Sequence, residues 1–372
     1  MKYVNILKVY KSFVFERFPV IVFWETTQAC ELKCLHCRAS SIWERSPEEL
    51  NTEEGKKLLE DISGFEKKPV VVFTGGNPLI REDIYELVSY AKSLGLTPAL
   101  APTVSNKLNS ESLKELRNAG VKYISISLDG AKPETHELIR GEKGHFEATL
   151  KAVREALSYG FDVQVNTTVM SLNKREVGNI FKLIKDLGVK TWEIFFIVAV
   201  GRAYANLEMS PSEYEAVCNF LYDASFYGIN IRTVECPFIR RVYIERSRGF
   251  NRSKDDNLYL ELKSSLLGYS PLNSSTINQY GTLDGDGVIF ISYNGTVYPS
   301  GLLNLPIGNV KNDNIVRIYR ENEILKKFRK REFNGYCGSC EFRFNCGGSR
   351  SRAYYYYKDP LGSDPACVLV SR

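Results

Sequence analysis

The chain has 372 residues, of which 44% are hydrophobic and 25% are charged, a composition typical of a globular protein with one large domain and one smaller domain. The formal net charge is only +5, and neither an arginine–glycine tract nor a long lysine run occurs. The composition therefore gives no support for nucleic-acid binding, and the densest basic segment, 240–252, is predicted to be a solvated face.

The N-terminal segment up to Trp24 is apolar but is interrupted by charges such as Lys8, Lys11 and Glu16. Neither a signal peptide nor a membrane span is indicated, which predicts a cytoplasmic protein that acts away from membranes. Seven of the nine cysteines fall in two tight groups. Because the cytosol keeps thiols reduced, this grouping favours metal binding over disulfides.

From about residue 19 to residue 236, short apolar runs alternate with segments of helical period. The runs are PVIVFWETT, PVVVFTGG, LTPALAPTV, YISISLDG, DVQVNTTV and TWEIFFIVAV. Helices are predicted to stop at Gly95, Gly120, Gly160 and Gly188, and a capping box at 210–213 opens another helix. Six strand–helix units in series imply parallel strands with right-handed crossovers, in either an open doubly wound sheet or a partial barrel.

In both architectures the functional residues belong at the carboxyl ends of the strands. The segments that follow the six strands are 26–30, 75–78, 103–106, 127–130, 166–168 and 198–202. Gly75 and Gly76 end the second strand with two residues that lack a Cβ, which predicts a place where backbone groups approach a ligand closely. A plain strand-to-helix turn would explain the same pair.

Beyond residue 236 the alternation stops. Residues 250–285 are rich in Ser, Asn, Asp and Gly, which predicts a linker or a long excursion. The run VIFISYNGTVYPSG predicts a β-hairpin with Asn294–Gly295 as its two-residue turn. The tail after Asn334 has little periodicity, so a metal would have to organise it.

The tail contains the second cysteine group, formed by Cys337, Cys340, Cys346 and Cys367. Four thiolates can complete either a tetrahedral zinc site or an iron–sulfur cubane. Zinc ribbons more often use two CxxC pairs, and only one is present here. The spacing therefore favours an iron–sulfur cluster while leaving zinc open.

The first group, Cys30, Cys34 and Cys37, offers only three thiolates at the end of the first strand. A zinc site with His36 as the fourth ligand is one interpretation, but a side chain next to a ligand usually points away from the same metal. The other interpretation is a cubane in which one iron has no protein ligand. An open coordination position distinguishes reactive metal sites from closed structural ones.

The CxxxCxxC motif, the GG-x-P turn and the six β/α units together resemble the radical SAM superfamily over residues 20–200. The four-cysteine tail resembles the auxiliary iron–sulfur extension called SPASM, or Twitch in its shortened form. WETTQACELKCLHCRAS and SRSRAYYYYKDPLGSDPAC are most similar to haem-pathway members, namely haem d1 biosynthesis oxidoreductases and iron-coproporphyrin decarboxylases. The resemblance implies a partial (β/α)6 barrel followed by a small Cys-rich domain with a β-hairpin.

The expected division is a core at 1–236 (with its centre at about 19–205), a linker or bridging region at 237–285, and an auxiliary domain at 286–372. The resemblance also implies a mechanism. S-adenosylmethionine (SAM) chelates the open iron of a [4Fe–4S] cluster, and electron transfer releases a 5′-deoxyadenosyl radical that abstracts hydrogen from a substrate. A low-potential electron donor of the ferredoxin or flavodoxin type is implied as a partner.

Site residues follow from the same resemblance, position by position. Cys30, Cys34 and Cys37 match the ligands of the SAM-binding cluster, and the turn that meets the SAM amino group is matched by Gly75 and Gly76. The remaining matches are Asn77 as an acceptor where the family usually has glutamate, Ser127 and Asp129 near the ribose, Arg140 on the SAM carboxylate, Asn166 on the fifth strand, Val198 against adenine through its backbone, and His36 in a stacking or backbone role.

Full SPASM domains carry two auxiliary clusters. The first would need cysteines where this chain has Ser300 and Arg350, so that cluster is expected to be absent. The second keeps its four ligands, Cys337, Cys340, Cys346 and Cys367, and is expected to hold a [4Fe–4S] cluster that moves electrons or organises the fold. Cys218 and Cys236 stand alone and are predicted to be buried apolar residues.

The leading functional hypothesis is tetrapyrrole modification by oxidative decarboxylation or side-chain loss. Arginines that could bind propionates are Arg202, Arg240, Arg241, Arg343, Arg350 and Arg352. Peptide maturation and the maturation of another cofactor are the enzyme alternatives. An iron–sulfur sensor or scaffold is the non-enzyme alternative, but it leaves the three-cysteine site unexplained.

Overall fold

The structure is a computed structural model that describes residues 15–277 and 281–370. Its strands are β1 (Ile21–Thr27), β2 (Val70–Gly75), β3 (Thr97–Leu100), β4 (Tyr123–Ser127), β5 (Asp162–Val169), β6 (Thr191–Phe196), β7 (Asn230–Val234), β8 (Val288–Ile291), β9 (Thr296–Tyr298) and β10 (Gly308–Asn309).

The α-helices of five residues or more in the described ranges are α1 (Thr52–Ser63), α2 (Ile84–Ser93), α3 (Ser110–Ala119), α4 (Pro133–Arg140), α5 (His145–Ser158), α6 (Val177–Asp186), α7 (Pro211–Ala224), α8 (Ile239–Ser247), α9 (Asn257–Ser264), α10 (Ile315–Glu321), α11 (Glu323–Lys330), α12 (Gly335–Ser339) and α13 (Arg350–Tyr357).

All ten strands join one sheet in the order β10-β9-β8-β1-β2-β3-β4-β5-β6-β7. Strands β1 to β7 are parallel neighbours in chain order, and this confirms the partial α/β barrel. The six predicted strands are β1 to β6, and β7 adds a seventh parallel strand that the sequence did not predict. Its sequence, NIRTV, lacks a continuous apolar run.

The C-terminal hairpin is confirmed as β8 and β9, but β8 also pairs in parallel with β1, from Ile21 opposite Val288 to Trp24 opposite Ile291. The predicted two-residue turn is wrong. Tyr293 and Asn294 occupy its centre, and Gly295 follows at φ +85° while its N–H donates to the Ser292 carbonyl. A type I turn with a left-handed residue after it needs glycine at that last position.

Helix boundaries follow the local signals in the sequence. The four glycines predicted to end helices, Gly95, Gly120, Gly160 and Gly188, all have positive φ. The capping box is also confirmed, since Ser210 Oγ accepts from the Glu213 N–H and the Glu213 carboxylate accepts from the Ser210 N–H. These signals place each helix start and stop, and the helices set the spacing of the strand ends.

The two faces of the sheet differ in chemistry. On the helix-covered face Trp24, Phe73 and Trp192 are fully buried in one large apolar core. On the other face the strands surround a lumen, and from β4 onward most lumen side chains are polar, as in Gln164 and Glu193, with Phe195 as an apolar exception. Burial of the apolar face stabilises the sheet, which leaves the lumen side free for a site.

The segment 237–285, predicted to be a linker or bridging region, contains α8 and α9, and both helices pack on α7. The solvated-face interpretation of 240–252 is wrong for its first two residues. Arg240 is 6% exposed and Arg241 is 1% exposed, and Arg241 forms ion pairs with Glu215 and Glu245. In the described ranges no helix combines the length and apolar character that crossing a bilayer would demand.

Candidate active site and auxiliary metal centre

A cavity of about 1260 Å³ fills the lumen and extends to the C-terminal region. Its wall is formed by residues along the length of the strands together with the loop after β1, and it includes the carboxyl ends of the strands, where this class of fold places its sites. Most of the residues predicted for the site line this one cavity: Cys30, Cys34, His36, Cys37, Gly75, Gly76, Ser127, Arg140, Asn166 and Val198. Asn77 and Asp129 do not line it.

The three cysteines lie on a loop that the rest of the barrel holds tightly. The Cys30 N–H donates to the Ile42 carbonyl at 2.8 Å and closes the loop at its base. Arg202, which follows β6, donates to the carbonyls of Cys34 and Ser41, each at 3.1 Å. The guanidinium of Arg202 therefore fixes the cysteine loop, and its predicted role as a propionate partner is wrong.

Each of the three thiols has its own polar neighbour. The Cys30 Sγ lies 3.4 Å from the Thr103 hydroxyl, and the Cys34 Sγ accepts from Arg140 Nη1 at 3.5 Å. The Cys37 Sγ lies 3.6 Å from the Ser41 hydroxyl. Three thiols with polar neighbours, on the wall of a large cavity, form a ligand set that fits an iron–sulfur cluster with one open iron.

Asp129 is buried beneath this site and orients Arg140. Its Oδ2 lies 3.0 Å from Arg140 Nε and 3.7 Å from His36 Nε2, while its Oδ1 accepts from the Thr168 N–H at 2.7 Å. Burial raises the pKa of Asp129, but the Arg140 guanidinium and His36 outweigh it and hold that pKa below its ordinary value. The carboxylate is thus an ion-pair partner of Arg140, and its predicted position near the SAM ribose stays a prediction.

His36 lies in the cavity wall, close to Asp129, but it does not form a charged ion pair with that carboxylate. Burial lowers the pKa of His36 to about 4, so its imidazole is neutral at pH 7. Its Nδ1 is buried, and no hydrogen-bond partner for it occurs among the described residues. A neutral ring at the cavity wall suits the stacking role predicted for this position.

A pair of buried histidines braces the strand ends, and the sequence analysis did not find it. The Asp129 N–H donates to His136 Nδ1 at 3.1 Å, His136 Nε2 lies 2.8 Å from His145 Nδ1, and His145 Nε2 lies 3.1 Å from the Val104 carbonyl. Burial lowers the pKa of His136 to about 3 and that of His145 to about 4. Two neutral rings protonated on Nε2 satisfy every bond and tie the end of β4 to the loop after β3.

Gly75 and Gly76 are needed by the protein backbone itself. A Cβ on Gly76 would lie 2.0 Å from the Ala29 carbonyl oxygen, and one on Gly75 would lie 2.3 Å from that of Thr27. The glycines let the end of β2 approach the start of the cysteine loop. Both residues also line the cavity, and the close approach of a ligand predicted for them stays a prediction.

Asn77 is completely buried and its carboxamide is fully engaged. Its Oδ1 accepts from the N–H groups of Leu79 and Thr103, and its Nδ2 donates to Glu31 and Ser105. These bonds occupy the side chain within the protein, and the hydrogen bond to SAM predicted for it stays a prediction. Its amide instead connects the cysteine loop to the end of β3.

The four cysteines of the tail ring a second, small cavity together with Arg241 and Arg343; they are Cys337, Cys340, Cys346 and Cys367. Two backbone N–H groups point at sulfur, from Gly348 to the Cys346 Sγ and from Asp364 to the Cys337 Sγ, each at 3.4 Å. Backbone donors of this kind stabilise the negative charge of thiolate-bound clusters. The donor set and its surroundings fit a four-thiolate iron–sulfur cluster.

Three more of the predicted propionate partners have other roles. Arg343 donates to the Gly338 carbonyl beside the small cavity. Arg350 donates to the carbonyls of Pro360 and Gly362, and Arg352 is paired with Asp364. These guanidinium groups organise the tail, as the ion-paired Arg241 does in the wall of the small cavity.

Two acids in the wall of the large cavity, Glu235 and Asp284, were not predicted from the sequence. Glu235 has φ +58°, and its carboxylate accepts from the hydroxyls of Ser349 and Ser351. Burial raises the pKa values of both Glu235 and the nearby Asp284. Neither acid belongs to a sequence motif that would have identified it.

Cys218 and Cys236 are buried, as predicted, but they are neighbours rather than isolated residues. Their sulfurs lie 3.0 Å apart, and Cys236 lines the large cavity. Helix α7 and the loop after β7 bring them together, which spacing alone does not reveal.

Comparison with known proteins agrees with this geometry. The family model described as the radical SAM superfamily matches residues 24–184, and an iron–sulfur cluster-binding domain model named SPASM matches residues 284–341. The chain belongs to the radical SAM superfamily. It is an enzyme of the SPASM-containing branch, and it uses SAM and iron–sulfur clusters. The family therefore favours iron–sulfur clusters over zinc at the two cysteine groups.

The curated relatives match almost the full length of the chain. The AdoMet-dependent heme synthase of Nitratidesulfovibrio vulgaris is 34% identical over 357 residues, which cover 95% of this chain and 93% of that protein. The Fe-coproporphyrin III synthase of Methanosarcina barkeri is 28% identical, with coverages of 95% and 88%. These similarities place the chain in the haem-pathway branch of the superfamily.

Among solved structures, Streptococcus suis SuiB bound to its precursor peptide SuiA has a TM-score of 0.69 and 15% identity, covering 97% of this chain and 79% of that chain. SuiB has also been solved with SAM bound. At this identity the similarity concerns the fold alone, and the partial barrel and its C-terminal extension are common to both.

Proposed function

We propose that the enzyme removes propionate carboxylates from an iron tetrapyrrole by oxidative decarboxylation, a step of haem synthesis. The observation that carries the proposal is the cavity of about 1260 Å³ beside the three-cysteine loop. It exceeds the roughly 300–1,000 Å³ of an ordinary small-molecule site, so it has room for a large substrate as well as SAM. The names of the full-length relatives support the same class of substrate.

Cys30, Cys34 and Cys37 would hold the [4Fe–4S] cluster that binds SAM. When bound, the cluster and SAM supply a 5′-deoxyadenosyl radical that takes a hydrogen atom from the substrate. Arg140, already oriented by Asp129, would bind the SAM carboxylate with the N–H groups that face the cavity. Ser127, Asn166 and Val198 would line the nucleoside part of the site.

The chain must also accept the electron that decarboxylation leaves behind. Loss of one hydrogen atom, carbon dioxide and one electron converts a propionate side chain into a vinyl group. Cys337, Cys340, Cys346 and Cys367 would hold an auxiliary [4Fe–4S] cluster that receives this electron. A low-potential donor of the ferredoxin or flavodoxin type would supply the first cluster, and the cytoplasm stays the predicted location.

Anaerobically reconstituted protein, incubated with dithionite, SAM and Fe-coproporphyrin III, tests the proposal. We expect 5′-deoxyadenosine together with a product that has lost carbon dioxide and two hydrogens per converted propionate, measured by liquid chromatography and mass spectrometry. Absence of 5′-deoxyadenosine from fully loaded protein would contradict radical chemistry. Its formation while the tetrapyrrole neither binds nor changes would contradict the substrate class and favour a peptide.

A further inference from the structure

We propose that Arg240 binds a carboxylate of the substrate at the wall of the large cavity that adjoins the four-cysteine tail. The inference deepens the proposed function and rests on it, because a coproporphyrin carries four propionates and haem retains two of them. An enzyme that removes some carboxylates must hold others in place. A guanidinium suits this task, since its planar donors match both oxygens of a carboxylate.

The position of Arg240 at the start of α8 places its side chain between the two halves of the molecule. The residue is 6% exposed and lines the large cavity. Its Nη1 donates to the Asn345 carbonyl at 3.1 Å, and its Nη2 donates to the Thr282 carbonyl at 3.0 Å. These bonds use two of its five N–H groups and aim the guanidinium without neutralising its charge.

Two of the other arginines that line the cavity already have acid partners. Arg38 is paired with Glu25 at 2.9 Å, and Arg140 is paired with Asp129 at 3.0 Å. The remaining one, Arg232, is exposed to solvent and donates to the Gln164 side chain, so its charge is not buried as that of Arg240 is. Among the described residues Arg240 takes part in no ion pair, and the remaining positions, 1–14, 278–280 and 371–372, contain no aspartate or glutamate. The chain thus supplies no carboxylate side chain for this buried cation.

The charged groups around Arg240 favour the binding of an anion next to it. Arg331 is close enough to repel it, and Asp286, the acid that attracts it, is occupied by Arg331 in a buried ion pair at 2.6 Å. The Cys346 thiol lies on the tail side. Burial, followed by the charge of Arg331, lowers the pKa of Arg240 to about 10, so the group stays cationic at neutral pH.

A buried cation that lacks a counter-ion is costly, and a ligand carboxylate removes that cost on binding. An anionic auxiliary cluster beside Cys346 is the competing partner for the same charge. The two roles differ in what they predict. A substrate anchor changes the affinity for carboxylates, whereas a counter-ion of the cluster changes the reduction potential of the cluster.

Equilibrium titration of the reconstituted protein with Fe-coproporphyrin III and with its tetramethyl ester, followed by the porphyrin absorbance, tests the assignment. Arg240→Gln removes the charge and keeps a polar amide. Arg240→Lys keeps the charge but loses the planar guanidinium that can bind both oxygens of a carboxylate. The matched control is Arg248→Gln, at an exposed residue just after the same helix. Iron content and the potential of the auxiliary cluster are measured for each variant.

We expect Arg240→Gln to weaken binding of the free acid by at least about tenfold, because a charge-assisted pair is lost. Arg240→Lys should recover part of this loss, and Arg248→Gln should bind like the parent protein. The tetramethyl ester should bind weakly to the parent protein, because it lacks the carboxylate charges. It should bind to Arg240→Gln with the same low affinity.

Equal losses for acid and ester would overturn the assignment, as they would indicate a structural effect. Unchanged binding of the acid would also overturn it, and a shifted cluster potential in that case would identify the cluster as the partner. If the parent protein itself fails to bind Fe-coproporphyrin III, the proposed function fails and this inference fails with it.

Discussion

Replacing Gly76 with alanine should displace the start of the cysteine loop and thereby prevent loading of the first cluster. The added Cβ would lie 2.0 Å from the Ala29 carbonyl oxygen, 2.5 Å from its carbonyl carbon and 2.8 Å from the Gln28 carbonyl oxygen. Those atoms are backbone and cannot rotate away. The end of β2 and the loop that leads to Cys30 must therefore separate by more than an ångström.

The expected cost is large because the clash lies inside a hydrogen-bonded segment. The Gly76 N–H donates to the Thr27 carbonyl at 2.8 Å, and the Asn77 N–H donates to the Ala29 carbonyl at 2.6 Å. Overpacking in a rigid region costs about 1–3 kcal/mol, and weakening these bonds adds about 1 kcal/mol each. A total loss of about 3–5 kcal/mol in the free energy of unfolding is expected.

Urea unfolding measures this cost, and iron analysis after anaerobic reconstitution measures the local effect. We expect about four iron atoms per chain in place of about eight, because the tail is untouched and keeps its cluster. The control is Gly249→Ala, at a residue with φ +81° and no atom within 4 Å of its added Cβ. That variant should lose only about 1 kcal/mol for the left-handed backbone and keep its full iron content.

One result would refute this reasoning. If Gly76→Ala unfolds like the parent and holds about eight iron atoms, but binds SAM weakly, the glycine serves the approach of the ligand and not the approach of Ala29.

Three further predictions concern the cysteines and the buried acid. Cys34→Ala should abolish 5′-deoxyadenosine formation and reduce the iron content from about eight to about four atoms per chain. Cys218→Ala, at a cysteine outside both groups, should preserve the activity and the iron content. Equal losses in the two variants would contradict the ligand assignment. Cys346→Ala should also lose about half of the iron but keep slow SAM cleavage without substrate, and complete loss of that cleavage would contradict the division into two sites. Burial, and then the charge of Asp284, raise the pKa of Glu235 to about 8. The protonated form of Glu235 therefore contributes its whole stabilisation below about pH 4.5, and this stabilisation is lost as the pH rises through about 8. Glu235→Gln should therefore be more stable than the parent by at least about 1 kcal/mol at pH 8.5 and differ less at pH 5, as urea unfolding at the two pH values can measure; an equal difference at both would contradict a raised pKa.

The strand–helix alternation and the first cysteine group were predictable because both depend on local sequence. Apolar runs, helix-stopping glycines and the capping box at Ser210 act over a few residues, and the structure follows them closely. Three cysteines on one loop stay together whatever the rest of the chain does. The position of that loop at a strand end then fixed the location of the cavity.

What could not be predicted depends on residues that are distant in sequence. The pairing of β8 with β1 and the contact of Cys218 with Cys236 are made by the fold as a whole. The arginines show the same limit, since composition cannot tell a solvated guanidinium from one that braces a loop. Only the three-dimensional contacts separate Arg240 from Arg202.

The pairing of β1 with β8 has a consequence for the biosynthesis of the enzyme. Glu25 at the end of β1 accepts a hydrogen bond from Ser292, 267 positions later, and also pairs with Arg38 in the cysteine loop. On the ribosome, the strand that precedes the first cysteine group therefore waits for its neighbour until most of the chain has been made. An unpaired strand edge invites association with other chains. The order of the strands thus leaves this edge of β1 open until residues 288–291 have been synthesised.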